Sequence, residues 1–470
     1  MRETEQLARF VTGLGAEALP EAVLRYAKRL LLDSLGCQLA GSALPWSRAC
    51  YETLRRTRSG QHATVVGSGL RLAPDDAAFL NALYCHANES DDTHLKSPTH
   101  PGQVAVPAAL ALAEYAGAGG RDFLRAMVAA YEVQIRIAWA CSPYLQDAGH
   151  HPPPGVGPFG GAAAAATLLG FDLERTLNAF GIAGSHAAGL LEYTLDNEAG
   201  GSVKRLHAGI AAMSGVRAGL FAEAGITGPH GILEGRKGFF RVFAGQYDPE
   251  RLSAGLGRDF LLLETGLKPH ACCHFIHGYL DALDQARSQR PFGPGEVAAV
   301  TLFANSRQAL EHVCSIARPR DVLGAQFSAA FSLAMRLHHG GRGVAGGNGF
   351  WDYLSVDLAD PGLRATACKV RAELAATSES SGLDRSAGLE VLLRDGTRIK
   401  ATVPYARGLP ENPLSDAEVE EKFRALAGPL VAPQRLDRIV ETVARIETLP
   451  RVEELARLLA APERCLPLAA

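Results

Sequence analysis

The chain has 470 residues, 47% of them hydrophobic and 21% charged, with a formal net charge of -3. That length exceeds what one hydrophobic core usually supports, so two domains are expected. The charge argues against a general nucleic-acid or membrane-surface binder, and the chain lacks the run of about 18 apolar residues that a membrane span needs.

The opening residues M-R-E-T-E-Q-L-A-R-F carry acids and no apolar core, so a signal peptide is not expected. From Leu7 to Gly41 the pattern is helical: Pro20 suits a first turn, and Leu24, Ala27, Leu31 and Leu35 form one stripe. Further helices are predicted over about Asp76 to Ala87, Ala105 to Ala116 and Asp122 to Ala140. Between the first two of these lies N-E-S-D-D-T-H-L-K-S-P-T-H-P-G, Asn88 to Gly102, where Pro98, Pro101 and Gly102 forbid a continuous helix. Acid, base and cation crowd that loop, with Glu89, Asp91, Asp92, Thr93, His94, Lys96 and His100 in it. A polar loop beside a rigid apolar helix is where catalytic groups tend to sit.

A proline- and glycine-rich loop is next expected from Gly149 to Gly160, feeding a helix of small residues. Helices follow from Leu173 to Leu191 and from Lys204 to Gly225, and up to about Gly266 the portion reads as all-α. The texture then changes. Val297 to Asn305 and Leu389 to Val403 look extended, the second folded into a hairpin by Asp395-Gly396. After Pro413, Ser415 and Glu418 form a capping box, and Leu426, Ile439, Val443 and Leu455 keep helical spacing.

The nine cysteines show no C-x-x-C, the one close pair being Cys272 and Cys273. Reduced thiols in the cytoplasm are the expectation, and the usual cysteine pattern of zinc ribbons and iron–sulfur sites is missing. Candidate chemistry lies in the Asn88–Gly102 loop, at His150 and His151, at Lys204 and His207 in G-S-V-K-R-L-H-A-G, and at Lys268 in K-P-H-A-C-C-H-F-I-H. Lysine near a glycine-rich backbone can reach a carboxylate, and histidine suits acid–base work near neutral pH. Each also has a bland reading, as a loop-shaping or solvated group. Glu89, Asp91 and Asp92 with a histidine have the atoms for a divalent metal but no tight ligand spacing. Residues Gly341 to Gly346 match G-x-G-x-x-G without a strand before or a helix after, so dinucleotide binding is not expected.

Taken together, L-L-D-S-L-G-C-Q-L-A-G, D-D-T with T-H-P-G, H-P-x-x-G with G-A-A-A-A-A, V-K-R-L-H-A-G, G-I-T-G-P with I-L-E-G, and K-P-H-A-C-C-x-x-x-H resemble the MmgE/PrpD family. That family includes 2-methylcitrate dehydratase, cis-aconitate decarboxylase and iminodisuccinate epimerase. The resemblance implies a mainly α protein with a smaller α+β domain: a large all-helical domain formed by both chain ends, residues 1–265 and 406–470, and an inserted α+β lid, residues 266–405. It also implies a homodimer. His100, His151, Lys204 and Glu89 are the implied catalytic residues; Thr93, Lys268 and His277 are the candidates for holding substrate. Three positions depart from the family pattern: Glu89 where an aspartate is usual, Pro153 where threonine commonly follows H-P, and Ser315 ahead of Arg318-Pro319 where the decarboxylase branch has tyrosine.

A carbanion beside a carboxylate needs nearby positive charge. The expectation is a lyase, dehydratase or decarboxylase, acting on a small di- or tricarboxylate with lysines and protonated histidine in place of any metal or cofactor. An isomerase or epimerase of a related acid such as iminodisuccinate, and a non-catalytic carboxylate-binding relative, are the alternatives.

Overall fold

The computed structural model describes residues 2–15, 19–194, 203–340, 346–375 and 386–460. Contacts divide the chain into two units: Met1–Tyr193 with Ser202–Thr265 and Phe423–Ala470, and Thr194–Gly201 with Gly266–Lys422. Residues 406–422, assigned from sequence to the returning helical segment, group with the second unit. Their polar contacts explain it: the Arg407 amide donates to Asp281 Oδ2 at 2.6 Å, its guanidinium pairs with Glu418, and the Leu267 amide donates to the Gly408 carbonyl at 2.9 Å.

In the first unit the helices are α1 (Glu3–Gly13), α2 (Glu21–Ser42), α3 (Pro45–Thr57), α4 (Pro74–His86), α5 (Gly102–Ala116), α6 (Gly120–Ala140), α7 (Tyr144–Asp147), α8 (Pro152–Leu168), α9 (Leu173–Ser185) and α10 (Val203–Glu223). The stretch expected as one helical pattern from Leu7 is thus two helices, α2 opening behind Pro20. A two-residue antiparallel pair, β1 (Ala63–Thr64) with β2 (Arg71–Leu72), interrupts the helices.

The loop expected from Gly149 to Gly160 is helix from Pro152 onward. Prolines at 152, 153 and 154 occupy the first turn, where amide hydrogens have no intrahelical acceptor, and their fixed φ suits a helix start. Helix α8 is buried almost throughout and packs between α5, α6, α9 and α10. Its contact with α10 is built from small residues. A Cβ on Gly157 would stand 2.8 Å from Ala211 Cβ, one on Gly161 2.9 Å from Gly215 Cα, and one on Gly219 2.1 Å from Ala165 Cβ. The partners advance one helical turn at a time in the same direction on both helices, so α8 and α10 run parallel at close range. Their N-termini therefore sit side by side.

The second unit holds the sheet order β4–β3–β5–β6, with β3 (Val297–Ala304) parallel to β4 (Val370–Leu374) and antiparallel to β5 (Ala387–Leu393), which pairs with β6 (Arg398–Val403). The expected hairpin is present, with Gly396 at φ 87° in its turn. Helix α11 (Pro249–Ser253) follows in the first unit, α12 (His274–Gln289) packs on β5 and β6, and the helices Pro433–Ala444 and Glu453–Leu459 belong again to the first unit. Ser415 and Glu418 form the expected capping box, with amide bonds of 2.7 and 3.3 Å. The chain is mainly α with a smaller α+β part.

Candidate active site

The Asn88–Gly102 loop is pinned before any functional group is considered. Asn88 donates to the Cys37 carbonyl at 2.7 Å and accepts the Ser90 amide at 3.0 Å, while His94 and Thr99 exchange backbone bonds of 2.9 and 3.3 Å. Asp92 ties the loop to α5: its carboxylate accepts the Gly102 amide at 3.0 and 3.1 Å and the Tyr131 hydroxyl at 2.7 Å. Glycine is required at 102, because a Cβ would lie 2.5 Å from the Tyr131 hydroxyl and 2.6 Å from Asp92 Oδ2.

Burial outweighs the Tyr131 and Gly102 hydrogen bonds and pushes the Asp92 carboxyl up to about 7. A carboxyl with a raised folded-state proton affinity stabilises the fold while protonated, so stability declines as pH rises from about 4 to about 7. Asp92→Asn is expected to flatten that decline, removing a slope worth on the order of 4 kcal/mol. Thermal midpoints across that range check it; an unchanged slope would refute the buried acid.

Three helices begin at this place. His100 lies two residues before α5, His151 is the N-cap of α8, and Lys204 is the second residue of α10. Helix N-termini carry about half a positive charge each, which favours anions. In α8 the three prolines remove the first amide donors, leaving the dipole's field with fewer hydrogen bonds to offer.

Glu89 is the one described non-glycine residue at positive φ, 58°. Its buried carboxylate accepts from both the Lys204 ammonium and the Arg205 guanidinium, and Arg205 also donates to the His86 carbonyl at 3.2 Å. Two cations thus face one carboxylate. Asp91 serves the histidines: its Oδ2 lies 2.8 Å from His86 Nδ1 and 3.8 Å from His100 Nδ1. His100 Nδ1 donates to the Asp92 carbonyl at 2.6 Å, so Nε2 is the ring nitrogen outside that bond. Its side chain is 17% exposed, more open than buried His86, His151 and His207.

His151 and His207 meet through their Nδ1 atoms at 2.8 Å, each ring edge-on to Tyr193. The parallel register of α8 and α10 brings this about, since one turn before Gly157 and Ala211 it sets His207 opposite Pro153. Burial first, then His207, Lys204, His86 and His100, holds His151 well below the usual imidazole range, and burial pulls His207 down to about 4. Both are neutral at rest near pH 7.

Glu89, Thr93, His100, His151 and Lys204 all fall in the first unit, with Thr93 buried beside Asp92 in the loop. Lys268 and His277 belong to the second. There both are buried, His277 Nε2 lies 3.2 Å from the Cys272 carbonyl, and burial with Lys268 pulls His277 down to about 3. Ser315 is exposed, its hydroxyl donating to the Glu311 carbonyl at 2.8 Å. The G-x-G-x-x-G match at residues 341–346 lies outside the described residues except for Gly346. The three loop carboxylates considered for a metal turn to different partners, and among the described residues no group of three or more His, Cys, Asp or Glu is arranged to hold one.

Sequence reasoning missed His86 and Arg205. Arg205 sits in the quoted V-K-R-L-H-A-G, overshadowed by its lysine neighbour. His86 ends α4 five residues before Asp91, and nothing in that spacing announces a histidine–carboxylate contact.

A helical unit with histidines and cations gathered at helix starts, joined to a smaller α+β unit, fits one class of protein. The MmgE/PrpD N-terminal domain matches residues 5–252 and the MmgE/PrpD C-terminal domain residues 270–448, and the chain belongs to this family. It is 30% identical to the cis-aconitate decarboxylase-like protein oryM of Aspergillus oryzae, covering 97% of each chain. It is 28% identical to the cis-aconitate decarboxylase of Aspergillus terreus, over 98% of this chain and 96% of that one. The human cis-aconitate decarboxylase is also 28% identical, over 98% of this chain and 95% of that one.

Proposed function

We propose that the protein is a cofactor-independent lyase acting on a small di- or tricarboxylate related to cis-aconitate, through a carbanion formed beside a carboxylate. The observation that carries this reading is the juxtaposition of a neutral, buried imidazole (His151), a more open imidazole beside a carboxylate (His100), and two cations on one acid (Lys204 and Arg205 on Glu89). The relatives' decarboxylase names support it.

In this reading His151 Nε2 takes a proton from carbon where the reaction is dehydration, and His100 delivers one to the departing hydroxyl. In decarboxylation the carbon–carbon bond breaks, its electron pair stays on carbon as CO2 departs, and His100 protonates that carbon. A carboxylate 3.8 Å from His100 Nδ1 stabilises the imidazolium that gives the proton. Lys204 and the helix dipoles balance the growing negative charge, and one such preorganised donor is worth about 3 kcal/mol. Thr93 is proposed to hold one of the substrate's remaining groups. Glu89, one methylene longer than the family's usual aspartate, shifts the Lys204 ammonium and thereby the acid that fits.

Incubation with cis-aconitate, citrate, 2-methylcitrate and iminodisuccinate, with and without chelator, tests this. Release of CO2 or loss of water that survives chelation supports the lyase. Exchange at carbon without net loss would instead indicate an isomerase, and binding without turnover an inactive relative.

The implied homodimer is proposed to form through α10. Val203, Leu206, Ile210, Met213, Leu220 and Phe221 make an outward stripe at helical spacing, with Val203 47%, Ile210 37% and Phe221 44% exposed. Ile210→Asp is expected to convert a dimer into a monomer by light scattering; a dimer that survives it would place the interface elsewhere.

A further inference from the structure

We propose that His207 is a positioning residue that decides which nitrogen of His151 carries the proton, and that the two imidazoles accept a proton as one unit. The inference rests on the lyase reading for its catalytic consequence, but its structural content stands on the two rings alone.

Two imidazole nitrogens at 2.8 Å need one hydrogen between them. With no proton there, two lone pairs face each other; with two, the N–H groups collide. When that hydrogen belongs to His151 Nδ1, His151 Nε2 bears the free lone pair, and His207 carries its own hydrogen on Nε2. When His151 Nε2 then takes a proton, the Nδ1 hydrogen crosses to His207 Nδ1. His151 ends neutral with its hydrogen on Nε2, His207 ends as the imidazolium, and one proton has been gained in all. The added charge is moved from the His151 ring to the His207 ring, and the reverse crossing restores the base.

The surroundings favour this. Both rings are buried, so neither Nδ1 has bulk water as a substitute partner. Tyr193 lies edge-on to each, with centroids at 5.5 and 5.6 Å, which fixes their tilt. The groups acting electrostatically on the pair are Lys204 on α10, His86 at the end of α4 and His100 before α5, all opposing a second positive charge. A base that can pass its charge one ring away meets that opposition less directly.

Two variants of the full-length protein test the idea. His207→Phe keeps a flat ring and removes the nitrogen; His207→Asn puts a polar atom near the Nδ1 position without a second titrating ring. The expected result is a roughly tenfold or greater loss of kcat for His207→Phe at nearly unchanged KM. His207→Asn should recover much of that kcat, with the acid limb of its pH profile displaced from wild type. Equal losses in both variants, or a rise in KM with an unaltered profile, would show His207 to be structural only. Nitrogen-15 NMR of histidine-labelled protein gives an independent reading: His151 and His207 should gain one proton in a single shared step on acidification. Two separate titrations overturn the proposal even if the enzyme turns over. A shared step in a protein inactive on every carboxylate would sink the lyase reading alone.

Discussion

Alanine at His100 is expected to lower turnover by about 10²–10⁴-fold while leaving the fold intact. The structural grounds are its accessibility and its hydrogen bond. At 17% side-chain exposure the ring is open enough to meet a ligand, and its Nδ1 is committed to the Asp92 carbonyl at 2.6 Å. Nε2 is then the working atom. Losing the ring removes one backbone contact at a partly open position, so the thermal midpoint should move little. Steady-state assays with the substrate found in the panel decide the matter. Undiminished turnover in a folded His100→Ala protein would remove His100 from the chemistry and leave the acid to Lys204.

Glutamine at Glu89 is expected to damage the fold as well as the activity. The carboxylate is the shared counter-ion of Lys204 and Arg205, and all three side chains are buried. Removing one charge from a buried set leaves the others uncompensated, at a cost of about 3–5 kcal/mol. For a unit of this size that corresponds to a fall in thermal midpoint on the order of 10 °C. Glu89→Asp retains the charge and should destabilise less, while drawing Lys204 inward and changing which acid is turned over. Glu89→Gly separates the backbone from the charge. The positive φ is strained for glutamate and free for glycine, so glycine relieves local strain yet should still lose activity. Equal midpoints for wild type and Glu89→Gln would show that the three groups are not paired in solution.

The sequence carried much of the helical architecture because α6 and α9 have clear apolar periodicity and α4 and α10 are long runs free of internal proline, and it carried the hairpin because Asp395-Gly396 has few other uses. It misplaced the start of α8 because three consecutive prolines were read as breakers, when at a first turn they cost the helix nothing. Strand β4 escaped notice for another reason: V-R-A-E-L does alternate, but it is only five residues long and lies largely exposed at the sheet edge. At the site, His100, His151 and Lys204 stood out by residue type and company. Which groups they would touch did not: the His151–His207 contact is made by packing of helices distant in sequence, and the His86–Asp91 contact by the way the loop turns back after α4.

The close parallel contact of α8 and α10 reaches further than stability. The gap between the two imidazoles is inherited from the girth of residues one to three turns away, Gly157, Gly161, Gly215 and Gly219. A single methyl group in that seam would act as a wedge, prising the rings apart and retuning an acid–base pair without touching it. The acidity of this centre is, in that sense, written in the absence of side chains elsewhere.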